Sequence, residues 1–139
     1  MDKRDDPYGA FNFRIEIDGV TLAAFSEASG LSVTVDVIEY RTGNDKLDTV
    51  RKLSGLRKYS NIILKRGLTK NGELWGWLKS ADRRNGAIVL LDGSDNEVMR
   101  WHFTNAFPCK WTGPTLAAGE STVAFEEFEL AIEGIEFAS

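Results

Sequence analysis

His102 and Cys109 are the chain's only histidine and cysteine. A thiolate nucleophile with an imidazole base is the one covalent chemistry such a pair could support. No Cys–His signature surrounds either residue, and two ligands fall short of the four of a structural zinc site. His102 sits in the strand-like stretch WHF and reads as structural. The lone Cys109 cannot close an internal disulfide, which fits a reducing compartment. Carboxylates are more plentiful. Glu127, Glu129 and Glu133 alternate with Phe128, Leu130 and Ile132, which places a row of acids on one strand face. A calcium site needs a compact loop of oxygen ligands instead. The segment DGSDNE (92–97) has the acids of half such a loop without its spacing, and reads as a hairpin turn. No glycine-rich phosphate loop is present. No cofactor or metal is expected, and the chain does not read as an enzyme.

Charge is spread unevenly. VRKLSGLRKYSNIILKRGLT (50–69) holds Arg51, Lys52, Arg57, Lys58, Lys65 and Arg66 and no acid, although the chain has 17 Lys plus Arg against 21 Asp plus Glu. ESTVAFEEFELAIEGIEFAS (120–139) holds Glu120, Glu126, Glu127, Glu129, Glu133 and Glu136 and no base. Four arrangements satisfy this pattern. The basic segment is a nucleic-acid strip. The two segments are neighbouring strands whose charges pair for roughly 0.2–1 kcal/mol each. They are unrelated solvated faces. Or copies of the protein meet plus to minus.

The elements that must carry these residues are mostly strands. FNFRIEID alternates Phe11, Phe13, Ile15 and Ile17 with polar residues, the period of a half-buried strand. Asp18-Gly19 predicts a tight hairpin, with VTLAAFSE as the returning strand. After Ser29-Gly30, LSVTVDVIEY is a third strand rich in β-branched residues. TGNDKLD (42–48) is a polar loop. VRKL is a short strand, Ser54-Gly55 a turn or bulge, and KYSNIILKRG another strand. Leu74, Trp77, Leu78 and Ala81 recur at helical spacing. They predict one helix over about 71–83, with Thr69 or Asn71 as N-cap, Lys79, Arg83 and Arg84 in its last turns, and Asn85-Gly86 as its stop. AIVLL is a continuous apolar run and belongs mid-sheet. VMRWHFT returns from the DGSDNE turn, NAFPCKWTGPTLAAG is a long connection, and VAFEEFELAIEG is the last strand. The sum is a mainly β, antiparallel β-barrel or sandwich of about seven or eight strands with one flanking α-helix.

At 139 residues the chain is expected to be a single domain, residues 1–139, able to bury about two thirds of its unfolded surface without disulfides or metal. The polar start MDKRDDPYG contains no signal-peptide core, and no run approaches the length of a membrane span, so neither secretory signal nor stable membrane insertion is expected.

DPYGAFNFRIEIDG, FSEASGL, VIEYRTGND, VRKLSGLRKYSNIILKRG, ELWGW, RRNGAIVLLD, NEVMRWHFTNAFPCKW and FELAIEGIE, in that order, resemble the tail-tube proteins of contractile phage tails and of phage-tail-like contractile injection systems. The similarity spans nearly all residues from Asp6 to Glu136, and its most specific pieces are RKLSGLRKYSNI and ELAIEGIE. The resemblance implies a structural subunit that forms six-membered rings. These stack head to tail into a hollow inner tube, which conveys cargo through a target envelope when a surrounding sheath contracts. Implied partners are other copies of the chain, the sheath protein, a baseplate or spike hub, a tube terminator or cap, and DNA or protein effectors in the lumen. The implied location is the bacterial cytoplasm during assembly, then a released or anchored phage-like particle. On this reading Asp6, Pro7, Tyr8, Gly43, Asn44, Asp45 and Lys46 contact the next ring. Arg51, Lys52, Arg57 and Lys58 serve subunit contacts, and Glu127, Glu129 and Glu133 are candidate luminal acids. Two other readings are a monomeric β-barrel that binds nucleic acid through residues 51–66, and an adaptor ring joining tube to baseplate.

Overall fold

The computed structural model describes residues 12–22, 25–41, 43, 50–70, 72–119, 121 and 123–138. The alternation of the first strand holds: in β1 (Asn12–Ile17) Ile15 and Ile17 are buried. Asp18 and Gly19 both take positive φ, 51° and 81°, as a two-residue hairpin turn requires. The return strand is shorter than its sequence predicts. β2 (Val20–Thr21) ends after two residues, and the chain buries Phe25 further on. It rejoins the sheet as β3 (Glu27–Ser29), against a different neighbour.

The run AIVLL lies where its composition requires. β7 (Arg84–Leu91) is paired on both sides, by β1 and by β8 (Glu97–Thr112), with Ala87, Ile88 and Val89 all buried. Register sets Arg14 and Arg100 on either side of Val89. Glu16 accepts hydrogen bonds from Arg14 Nε and Arg100 Nη1, both at 2.8 Å, and Glu97 Oε1 accepts from Arg100 Nη2 at 2.6 Å. This charged layer covers the small apolar row Ala87, Val89 and Leu91.

β8 takes up residues 105–112 of the connection expected over 105–119, whereas 113–119 lie outside any strand. It runs through Asn105 and Pro108 to Thr112. Asn105 has φ 52°, and the ladder slips between Pro108 and Lys110. A proline lacks a ladder donor but is tolerated at such a bulge. The bend lets one long strand serve two further partners besides β7. Its first part pairs with β10 (Gly134–Ala138) and its second with β9 (Phe125–Ala131). The single last strand expected from sequence is therefore two strands, broken at Ile132-Glu133. β9 in turn pairs with β6 (Ile62–Gly67), and β6 with β3. The path β2-β1-β7-β8-β9-β6-β3 does not close, so the architecture is an open, sandwich-like antiparallel sheet and not a closed barrel. Ten strands are described, and two of them have three residues or fewer, in line with the expected seven or eight.

The helix α1 (Glu73–Ser80) is shorter than 71–83. Gly72 occupies the N-cap without a side-chain bond, in place of Thr69, and Asn71 lies outside the described residues. Ala81 ends the helix in a left-handed conformation, with its N–H 2.7 Å from Trp77 O. Asn85 and Gly86, expected as the stop, are already inside β7. The early stop has a local cause: Trp77 Nε1 donates to Asp82 O at 2.7 Å, and the Arg84 guanidinium stacks 5.2 Å over the Trp77 ring. Leu74 and Trp77 complete a core with Ile15, Ile62, Leu64, Phe103, Phe128 and Leu130.

Candidate functional site

The pair β3–β6 is the base of a long hairpin whose outer part leaves the sheet. β4 (Val33–Tyr40) and β5 (Arg51–Tyr59) pair only with each other among the described strands. The two parts join at Gly30, with φ 92°, where an added Cβ would stand 2.0 Å from Asn61 O. Only glycine permits that approach. Two strands alone form a marginal ribbon, and this one is apolar without cover. Val37 is 62% exposed, Leu56 75%, and Val33, Val35, Ile38 and Leu53 are also exposed. The ribbon carries a bulge: Val35 faces Arg57 but Val37 faces Ser54, so Gly55 and Leu56 together oppose Asp36. An added Cβ on Gly55 would lie 3.2 Å from Asp36 Cβ, a tight contact.

A second uncovered surface lies at the ribbon's foot. Phe13, Leu31, Ile88, Leu90, Met99 and Trp101 line an open groove of about 470 Å³. A neighbouring hollow of about 320 Å³ lies between Val33, Trp101, Ile135 and Phe137. Met99 and Trp101 belong to VMRWHFT, the returning strand expected from the sequence. Strand alternation names the face they share, and nothing in the pattern says whether a layer covers it.

The four cations expected at subunit contacts are all on the ribbon, split between its two faces. Register puts Arg57 with Val35 and Lys52 with Glu39 on one face, and Arg51 with Tyr40 and Lys58 with Thr34 on the other. Lys58 Nζ is 3.1 Å from Asp36 Oδ2. The remaining two cations are elsewhere: Lys65 faces Glu127 and Arg66 faces Glu126 across β6–β9. Arg66 Nε reaches Glu126 Oε1 at 2.7 Å, and both side chains are buried. The basic segment is thus not one continuous strip, which removes the geometric premise of a nucleic-acid groove. Pairing of the plus-six and minus-six segments as neighbouring strands holds for β6 and β9, and does not extend to the ribbon.

The candidate luminal acids divide as well. Glu127 and Glu129 share a face of β9, and Glu129 Oε2 accepts from Asn61 Nδ2 at 2.8 Å. Glu133 is not on that face. It lies in the β9–β10 turn, where its carboxylate accepts from Arg83 Nη1 and Asn105 Nδ2, each at 2.9 Å. Of the stacking residues, Gly43 is an exposed turn residue. Asp6, Pro7, Tyr8, Asn44, Asp45 and Lys46 lie outside the described residues.

No reactive constellation forms around the remaining candidates. The polar neighbours of Cys109 are Asn61 and Glu129, not His102. Desolvation and the Glu129 charge push its thiol up, away from the thiolate a nucleophile needs. Asp92 Oδ1 accepts the backbone N–H of Ser94 and Asn96, both at 2.9 Å, which closes the hairpin turn and holds this carboxyl below its usual range. Among the described residues no group of three or more His, Cys, Asp or Glu is arranged to hold a metal, and no helix is long and apolar enough to cross a membrane.

Residues 9–136 match the family described as T4-like virus tail tube protein gp19. Among solved structures, a chain of the PVC sheath–tube complex of an extracellular contractile injection system, in its extended state, is 25% identical. The alignment covers 97% of this chain and 93% of that one, with a TM-score of 0.86. A chain of the PVC sheath/tube terminator is also 25% identical, over 97% and 99% of the two chains, with a TM-score of 0.85. A chain from the tube-terminating cap of the anti-feeding prophage is 23% identical over 100% and 95%, with a TM-score of 0.87, and that likeness speaks for the fold. A comparison with curated proteins found no match.

Proposed function

The chain belongs to the T4-like virus tail tube protein family, and from that we propose that it is the structural subunit of the inner tube of a contractile injection machine, either a phage tail or a phage-tail-like particle. The observation that carries this reading is the family match over residues 9–136. Residues 1–139 act as a single tail-tube domain. Six copies form a ring, and rings stack head to tail into a hollow tube that passes DNA or protein cargo through a target envelope when the sheath contracts. Its partners are further copies of itself, the sheath, the baseplate hub and a terminator or cap. The role is mechanical rather than catalytic. Assembly takes place in the bacterial cytoplasm before the particle is released or anchored.

The uncovered surfaces support a chain that is incomplete alone. Exposed apolar patches of this kind mark interaction sites, and the outer edge of β10, unpaired among the described strands, invites another strand. A ring needs two different, complementary surfaces on each copy. A ribbon rich in Val, Leu, Arg and Lys and an apolar groove meet that need. We assign Arg51, Lys52, Arg57 and Lys58 to subunit contacts, and the loop 42–48 with Asp6, Pro7 and Tyr8 to stacking. Glu127 and Glu129 face the lumen, where a negative wall repels DNA and acidic cargo and lets them slide. Electron micrographs of the purified chain, nucleated on its baseplate where needed, test the reading. Hollow tubes with six-fold symmetry are expected. Monomers that bind an oligonucleotide and never polymerise would refute it.

A further inference from the structure

Three residues from three strands meet in the core. Arg66 Nε donates to Glu126 Oε1 at 2.7 Å, and Trp111 Nε1 donates to Glu126 Oε2 at 3.2 Å. The Arg66 guanidinium also lies 5.4 Å from the Phe25 ring centre and 5.7 Å from that of Phe128. The side chains of Arg66 and Glu126 are 3% and 7% exposed. Burying two charges is costly even when they pair, and apolar residues of the same volume are often as stable or more so. Stability alone therefore does not explain the pair.

Register does. The inward residues of β6 are Ile62, Leu64 and Arg66, opposite Leu130, Phe128 and Glu126. A slip of one residue would turn every apolar side chain outward and is excluded by the pattern. A slip of two keeps all faces inward. Ile62 and Leu64 against Phe128 and Leu130 hardly oppose it, since apolar contacts have no direction. The charges do, because a two-residue slip sets Arg66 against Phe128 or beyond the strand and breaks its ion pair with Glu126. β6 continues directly into the ribbon through Ser60 and Asn61. Two residues of strand are about 6.6 Å, so the choice of register decides how far the ribbon stands out from β9 and β8.

We propose that Arg66, Glu126 and Trp111 form a register lock: they select one pairing of β6 with β9 and so fix the projection of the ribbon. The consequence for assembly rests on the tube reading above, whereas the register itself is read on the soluble chain. The test uses a Cys109→Ser background with Lys65→Cys joined to Glu127→Cys, Phe125→Cys or Glu129→Cys. The first pair closes in the observed register and the other two only after a slip of two. With Arg66 and Glu126 in place, oxidation should close 65–127 alone. In Arg66→Met with Glu126→Leu, the chain should still melt cooperatively, while 65–125 or 65–129 disulfides form to a comparable extent and tubes are lost or irregular. Exclusive 65–127 closure in the apolar variant overturns the lock. A variant that no longer folds also overturns it, since the pair would then hold the fold and not choose a register. Slipped disulfides with regular tubes would leave the lock standing and sever it from assembly.

Discussion

Lys58 Nζ and Asp36 Oδ2 stand 3.1 Å apart on one face of the β4–β5 ribbon, while Arg57, its neighbour in sequence, lies against Val35 on the other. Both partners of the ion pair are well exposed, so the bond contributes little to the fold of one copy, about 0–1 kcal/mol. Reversing charge at 57 and 58 therefore alters both faces of the ribbon at small intrinsic cost. Arg57→Glu with Lys58→Glu should give a soluble chain that melts cooperatively and fails to polymerise. Misplaced like charge costs several kcal/mol at an interface and recurs at every contact of a polymer. Normal tubes with lost oligonucleotide binding would reverse the assignment.

Leu56 offers an uncharged version of the test. It is 75% exposed in the ribbon bulge. Leu56→Ser should shift unfolding by no more than about 0.5 kcal/mol. Tube yield, read by sedimentation, should fall sharply if the side chain is covered in the assembly. Unchanged yield would show that Leu56 faces solvent in the tube.

Gly30 is the hinge between sheet and ribbon. With φ 92° and a Cβ position 2.0 Å from Asn61 O, any side chain clashes with backbone on the opposite strand. Gly30→Ala should lower stability by about 2 kcal/mol or more, measured by urea unfolding. Gly43→Ala, in an exposed turn with open space around it, should leave stability nearly unchanged and serves as the comparison.

Glu16 should make stability depend on pH. Hydrogen bonds from Arg100, and then from Arg14, hold its carboxyl below the usual glutamate range, against the opposing effect of burial. A carboxyl depressed in the folded state stabilises above its unfolded value, near 4.3. That contribution is lost as pH falls through the lower folded value. Glu16→Gln should be less stable than the parent by about 1–3 kcal/mol at pH 7. The gap should narrow below about pH 4. A gap independent of pH would point to packing instead of charge.

Much of the fold is legible locally. The period-two pattern of FNFRIEI, the Asp18-Gly19 turn, the apolar run of β7 and the DGSDNE turn each depend on residues a few positions apart. The helix was legible in kind but not in length, because its end is set by Trp77 reaching Asp82 and Arg84. The continuation of β8 through Pro108 was hidden, since proline and glycine nearby read as a loop until a bulge accommodates them.

Which residues share a face, where the turns fall, and the gathering of charge into one basic and one acidic segment are all written in residue order. Those properties follow from backbone geometry and composition, which are local. Tertiary pairing alone sets Lys65 and Arg66 opposite Glu127 and Glu126 while the other four cations of the basic segment ride an uncovered ribbon. Tertiary packing likewise leaves Met99 and Trp101 lining an open groove while Phe103, on the same face, is buried. Pairing and cover are relations between distant segments. An apolar face or a row of cations has the same local pattern whether its partner lies in the same copy or in another.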